Sequence, residues 1–194
     1  AAGKFAYAVS DSFGEFGEKK EFRPSAASRG TTPAHPIARH PFPEDWSILL
    51  VTPRTGEGAS RREEVDIFRS CCPVPLDEVR EICHEVLVRM LPGVVEHDLD
   101  LFGAAVNRIQ QIGFKKVEIG RQAPLVGTLM DALREGGAAC AGMSSFGPTV
   151  YAVADTGVPA LEKAAREVLG EEGGDIRVTK ARNTGAFIRT AQGT

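Results

Sequence analysis

Short apolar runs and longer helical stripes follow one another along this chain in an order that few folds accommodate. Trp46–Pro53 is a continuous apolar run, too short for a helix, and predicts a buried strand. Further strands are predicted over Ala138–Met143, Pro148–Ala154, Asp175–Lys180 and Ala186–Thr190. Without the extra helices the order is strand, helix, strand, strand, helix, strand, which is the split βαβ or ferredoxin-like motif. We therefore expect an α+β domain whose antiparallel sheet is covered by helices on one face.

Helical periodicity fills the gaps between these strands. Apolar residues from Leu76 to Leu91 recur with a period near 3.6, and Pro92–Gly93 is expected to interrupt that helix. Asp98 is expected to cap the next helix, and Gly113 to close it in the left-handed conformation. Lys115–Gly120 alternates, which favours a short strand or an extended loop. Other helices are predicted over Arg61–Arg69, Pro124–Glu135 and Pro159–Leu169.

Residues 1–45 differ in composition from the rest of the chain. Arg23–Asp45 contains five prolines, and proline fixes φ and removes a ladder donor. This composition predicts an extended N-terminal arm over residues 1–45 and one α+β domain over residues 46–194. Because the chain begins at Ala1 without an initiator methionine, we expect a processed chain or a piece of a longer one.

Charge and cysteine usage restrict the function classes. The 194 residues carry 23 basic and 26 acidic side chains, a net charge of −3, which disfavours nucleic acid or an anionic membrane as partner. The longest uncharged run, Gly136–Ala154, holds glycines, a proline and serines and does not suit a membrane span. The four cysteines include no CxxC pair, and no secretory signal opens the sequence. We expect a cytoplasmic location.

The segment from Ala141 to Val153, AGMSSFGPTVYAV, offers the clearest candidate for chemistry. Gly142 and Gly147 permit sharp turns and close approach of a ligand, and Ser144, Ser145 and Thr149 supply hydroxyls. Backbone N–H groups in such a loop form a concave anion site, which would suit a phosphate or pyrophosphate. The alternative is a plain hairpin turn, in which Ser and Gly are common for local reasons.

These residues resemble the C-terminal glycine-rich motif of the GHMP superfamily of small-molecule kinases. The match is strongest to its β-ribofuranosylaminobenzene 5′-phosphate synthase family, whose members are not kinases. Other segments match in the same order, among them RPSAASRG, ARHPFPEDW, ILLVTPR and VTKARNTGA, so that the resemblance spans about residues 22–190. It implies a GHMP C-terminal domain.

The resemblance also implies a reaction. Members of that family condense 5-phosphoribosyl pyrophosphate with 4-hydroxybenzoate or 4-aminobenzoate. Carbon dioxide and pyrophosphate are lost, and a carbon-linked riboside 5′-phosphate forms, an early step toward methanopterin. Mg²⁺, basic side chains and backbone N–H groups are the usual means of neutralising a departing pyrophosphate.

Three arginines are candidates for phosphate contacts. Arg54, Arg61 and Arg62 lie at or near a glycine-containing loop and a predicted helix start. A solvated basic face is the alternative interpretation. Asn107, Gln110 and Gln111 lie near the buried face of a predicted helix, where they either cap polar groups of a substrate pocket or face solvent.

Other functions stay open at this point. GHMP proteins carry a second phosphate loop in an N-terminal domain, and no such run occurs in this sequence. This disfavours an ATP-dependent GHMP kinase and suggests a missing N-terminal GHMP domain or a homo-oligomer as partner. A ferredoxin-like module can also bind a ligand or a partner chain without catalysis, because the fold alone does not fix a function.

Overall fold

The computed structural model describes residues 38–54, 66–68 and 70–185, and its centre is a four-stranded sheet. The strands are β1 (Ser47–Pro53), β2 (Cys140–Met143), β3 (Val150–Ala154) and β4 (Gly174–Thr179). Their order in the sheet is β2-β3-β1-β4, and all neighbours are antiparallel. In the central strand, Leu49 pairs with Ala152 on one side and with Val178 on the other. This topology confirms the predicted ferredoxin-like fold.

The helices connect these strands in two groups. The first group consists of α1 (Leu76–His84), a π-helical segment (Glu85–Met90), α2 (Leu91–Glu96), α3 (Leu99–Ile109), α4 (Gly113–Gly120) and α5 (Pro124–Glu135), and α6 (Val158–Leu169) links β3 to β4. Asp98 caps α3 as predicted, since its Oδ1 accepts a hydrogen bond from the N–H of Leu101 at 2.8 Å. No helix in these described segments is long and apolar enough to cross a membrane.

Two apolar clusters lie on opposite faces of the sheet. Alternate strand residues such as Leu49 and Val51 point toward α5 and α6, which contribute buried leucines, including Leu129 and Leu161. This is the helix-covered face that the sequence predicted. On the other face, Val153 packs in a second cluster with Trp46, Phe102, Val106 and Cys140, which shows that α3 covers part of that face as well.

The prediction for Lys115–Gly120 was wrong, because this segment is the helix α4. Phe114 and Val117, three residues apart, pack on one cluster with Phe68 and Phe146. Lys115 and Glu118 form an ion pair with the same spacing. Helical i,i+3 pairs therefore outweigh the apparent alternation of the sequence.

The predicted break at Pro92–Gly93 does not occur. The chain stays helical through the π-helical segment into α2, and Pro92 lies in the first turn of α2. Gly93 permits the close packing of α2 on α3, since a Cβ there would be 2.7 Å from the backbone nitrogen of Phe102. The preceding stripe is only partly buried, with Leu76 61% and Leu87 64% exposed.

Several predictions fall on residues outside the described segments. They are residues 61–65 and 69 of the helix predicted over Arg61–Arg69, the strand over Ala186–Thr190 and most of the N-terminal arm, while residues 66–68 are helical as predicted. The division into an arm and one domain therefore stays a prediction.

Candidate functional site

The loop between β2 and β3 places the predicted serines at one end of the sheet. The N–H of Ser144 donates to the carbonyl of Thr149 at 2.9 Å, which closes the hairpin. Inside it, the N–H of Gly147 donates to the carbonyl of Ser144 at 2.9 Å. Ser145 and Gly147 have φ of 50° and 74°, so both occupy the left-handed region. Ser144 and Ser145 are exposed, and the loop presents its hydroxyl-bearing turn to solvent.

Side chains from α4 and the turn after it hold this loop from the protein side. Lys115 Nζ donates to the carbonyl of Ser145 at 2.7 Å, and the Gln122 side-chain amide donates to the carbonyl of Phe146. The Phe146 ring is buried in edge-to-face contact with Phe68 and Phe114. The middle of the loop is thus fixed by two polar contacts and one aromatic anchor.

The remaining motif residues lie deeper. Thr149 is half-buried, and its hydroxyl is 2.9 Å from that of Thr52 on β1. Gly142 is buried within β2, where a Cβ would be 2.5 Å from the Tyr151 hydroxyl and 2.8 Å from Cδ of Gln110. Glycine at this position is therefore required by packing between the strand and α3.

Of the three candidate arginines, the structure describes one. Arg54 follows β1, at the same end of the sheet as the loop, and is exposed. Its N–H donates to the carbonyl of Gly173 at 3.2 Å, and its guanidinium lies beside Gly173, which precedes β4. Because β4 flanks β1 on the side away from β3, this guanidinium lies across β1 from the serines. Arg61 and Arg62 lie outside the described residues.

The amides of α3 bind the protein's own backbone. Asn107 donates from Nδ2 to the carbonyl of Ala139 at 2.9 Å and accepts from the N–H of Ala141 at 3.1 Å. Gln110 accepts from the N–H of Met143 at 3.0 Å. These two side chains, three residues apart on one helix, satisfy the backbone groups along the outer side of β2, and so fix the strand that leads into the loop.

Two titratable groups beside the loop strand stay protonated at neutral pH. Burial raises the pKa of the Cys140 thiol from 9.0 to about 12. Burial, with a smaller contribution from Cys140, raises the pKa of Tyr151 from 10.0 to about 12. A nucleophilic thiolate at Cys140 is therefore disfavoured, and the position behaves as a small buried strand residue.

The part of the chain that the structure describes shows no large cluster of potential metal ligands. In residues 38–54, 66–68 and 70–185 there is no group of three or more His, Cys, Asp or Glu side chains that could hold a metal ion. Mg²⁺ prefers carboxylate and phosphate oxygens, whereas the loop offers hydroxyls and N–H groups. Its donor set suits an anion and does not fit a bare cation.

Comparisons with known proteins show which family this chain resembles. Residues 90–171 match the family model described as GHMP kinases C terminal. The chain is 46% identical over 179 residues to a protein of Methanocaldococcus jannaschii named beta-ribofuranosylphenol 5′-phosphate synthase, covering 91% of this chain and 52% of that protein. A protein of the same name from Archaeoglobus fulgidus is 49% identical over 173 residues, covering 88% of this chain and 53% of that protein.

A solved structure supports the fold. The mevalonate kinase of L. major, determined with R-mevalonate, superposes with a TM-score of 0.60 at 20% identity, covering 78% of this chain and 47% of that one. The chain spans about half the length of the curated relatives that it matches. The predicted resemblance to the synthase family is thus confirmed.

Proposed function

The chain belongs to the GHMP superfamily through its C-terminal domain, and on that premise we propose that it forms the pyrophosphate-binding half of a ribosyl phosphate transferase. In this proposal the loop from Ser144 to Thr149 binds the pyrophosphate group of 5-phosphoribosyl pyrophosphate. The ribosyl phosphate is then transferred to the ring of a hydroxy- or aminobenzoate. The observation that carries the proposal is an exposed double-serine turn, with its carbonyls held inward, in a chain 46% identical to a named synthase.

The proposed reaction balances without an oxidant. The bond from C1 of the ribose to oxygen breaks, and pyrophosphate leaves with the electron pair. The ring carbon that bears the carboxylate attacks C1 and forms the new carbon–carbon bond. The bond from that ring carbon to the carboxylate then breaks, carbon dioxide departs, and its electron pair restores aromaticity.

The contribution of this chain to that reaction is electrostatic. Negative charge develops on the leaving pyrophosphate as the C1–O bond breaks. Loop N–H groups and the hydroxyls of Ser144 and Ser145 can donate to those oxygens, and prepositioned donors cost no reorganisation when the bond breaks. We propose that Mg²⁺ enters bound to the phosphates of the substrate, because the described residues offer no carboxylate cluster.

The names of the relatives favour one acceptor. Both curated relatives are named for a ribofuranosylphenol product. A phenol product requires an acceptor that already carries a ring hydroxyl, whereas 4-aminobenzoate would give an aniline. We therefore propose 4-hydroxybenzoate as the acceptor for this chain.

We expect turnover to require a further domain or a second protein chain. Because the chain spans about half the length of its relatives, we propose that an N-terminal GHMP domain, or a second copy of this chain, completes the site. The first test is consequently a binding measurement, which does not require the complete site.

The experiment is calorimetric titration with 5-phosphoribosyl pyrophosphate and Mg²⁺, compared with ATP and Mg²⁺. We expect saturable binding of the ribosyl pyrophosphate, weakened in a Ser144→Ala, Ser145→Ala double variant. Thr156→Ala is the matched control, since Thr156 is an exposed hydroxyl in the turn after β3, at the other end of that strand. Binding of ATP alone would replace this proposal with a kinase, and silence from both ligands would refute the assignment of the loop.

A further inference from the structure

The orientation of two peptide groups in the loop is set by contacts from α4 and the turn after it. Lys115 binds the carbonyl of Ser145, and Gln122 binds the carbonyl of Phe146. The peptide bond between Ser145 and Phe146 is trans, so its N–H points opposite to its carbonyl. With that carbonyl drawn toward α4, the N–H of Phe146 points away from Lys115.

The preceding peptide group is oriented in a similar way. The carbonyl of Ser144 accepts from the N–H of Gly147 inside the turn, so the N–H of Ser145 points out of the turn. Within the described part of the chain, neither this N–H nor that of Phe146 has a hydrogen-bond acceptor. Ser145 is left-handed, which is the conformation found where successive N–H groups surround an anion.

We propose that Lys115 is a positioning residue that holds the peptide group between Ser145 and Phe146 in the orientation that binds an anion. Gln122 assists by holding the next peptide group, whose N–H donates to the Ser144 carbonyl. This inference rests on the proposed function, in which that anion is pyrophosphate. Lys115 acts through the loop backbone and does not contact the ligand, because its ammonium group is engaged with Glu118 Oε2 at 2.6 Å and with the Ser145 carbonyl at 2.7 Å.

The ion pair with Glu118 restrains the Lys115 ammonium group that makes this contact. The Lys115 side chain is 19% exposed and that of Glu118 is 10% exposed, so the pair is largely shielded from water. A hydrogen bond from an ionised donor is shorter and stronger than a neutral one. The shielded ion pair is little weakened by salt. Lys116, the next residue on α4, is exposed and provides a comparison of equal charge.

The test uses inorganic pyrophosphate with Mg²⁺ in calorimetry at constant ionic strength. Because Lys115→Met alone would remove the ion pair of the largely buried Glu118 carboxylate, the main variant is Lys115→Met with Glu118→Gln. Lys115→Arg retains a cation and donors, Gln122→Met removes the second contact, and Lys116→Met controls for loss of one positive charge. A ligand-free measurement, the ¹⁵N heteronuclear NOE of the Ser145 and Phe146 amides, reports loop order separately.

We expect the double variant to bind pyrophosphate at least about tenfold more weakly, which corresponds to about 1.4 kcal/mol. The NOE of both amides should fall in the same variant, and Lys115→Arg and Lys116→Met should resemble the wild type. Unchanged affinity and unchanged NOE in the double variant would overturn the role of Lys115 and leave the proposed function standing. Failure of the wild type to bind pyrophosphate would overturn the proposed function, and the NOE would still decide whether Lys115 fixes the loop.

Discussion

Replacement of Asn107 by leucine should destabilise the domain by removing two hydrogen bonds from the outer side of β2. The Asn107 amide donates to the carbonyl of Ala139 at 2.9 Å and accepts from the N–H of Ala141 at 3.1 Å. Leucine is similar in size but leaves both backbone groups without that partner. The substitution therefore tests the polar contact more than the packing.

The expected cost follows from the burial of the two groups. A buried donor or acceptor that loses its partner costs about 1–3 kcal/mol. Ala141 is buried, so we assign about 2 kcal/mol to its N–H, and Ala139 is half-buried, so we assign about 1 kcal/mol to its carbonyl. The sum is about 3 kcal/mol, or a fall in Tm of about 6–12 °C for a domain of this size.

Urea denaturation followed by circular dichroism would measure this free energy of unfolding. Gln111→Leu is the matched control, because Gln111 is exposed just beyond α3. Its side-chain contact with Arg108, at 3.5 Å, is long for a hydrogen bond. That control should change the free energy by less than about 0.5 kcal/mol. If Asn107→Leu were as stable as the control, with the same denaturant slope, the amide would not be what holds β2 to α3.

Two further predictions concern β2 and its neighbour β3. Gly142→Ala should lower the free energy of unfolding by about 1–3 kcal/mol, since its Cβ would be 2.5 Å from the Tyr151 hydroxyl. The control Gly127→Ala lies at an open helical position and should raise the free energy of unfolding by about 0.5–1 kcal/mol. Equal effects of the two substitutions in thermal melts would contradict this reasoning. The contribution of the protonated Cys140 thiol to the free energy of unfolding should be fully present below pH 9 and be lost as the pH rises from 9 toward 12. The reason is that the unfolded chain releases the Cys140 proton near pH 9.0, whereas the folded chain releases it only near pH 12. Tyr151 acts in the same direction from 10.0, and urea midpoints at pH 8 and pH 10.5 should show a smaller loss in Cys140→Ala than in the wild type.

The sheet could be predicted from the sequence because each strand has a local sequence signal. Trp46–Pro53 and Pro148–Ala154 are short, apolar and bounded by turn residues, and the structure has strands at Ser47–Pro53 and Val150–Ala154. The helix start at Asp98 was equally local, since an N-cap depends on residues within one turn. Signals contained within a few residues were therefore sufficient for the topology.

The interior support of the loop could not be predicted in that way. The sequence predicts a strand or an extended loop around Lys115, whereas this residue lies on α4. Its hydrogen-bond partner Ser145 is 30 residues further along the chain. Gln122 likewise contacts Phe146 across 24 residues. No sequence pattern around Lys115 or Gln122 indicates these contacts, because they depend on how α4 packs against the hairpin. The amides of Asn107 and Gln110 did carry a signal, because polar residues three apart on the buried face of a helix require partners.

The hydrogen bonds of Asn107 and Gln110 also affect how copies of this protein meet one another. An uncovered sheet edge is a template on which strands of other molecules can add, and such addition leads to aggregation. On the β2 side, the amides of Asn107 and Gln110 engage the backbone groups that an incoming strand would use. Addition of a strand on the β2 side is thereby opposed. A substitution such as Asn107→Leu would therefore threaten solubility as well as stability.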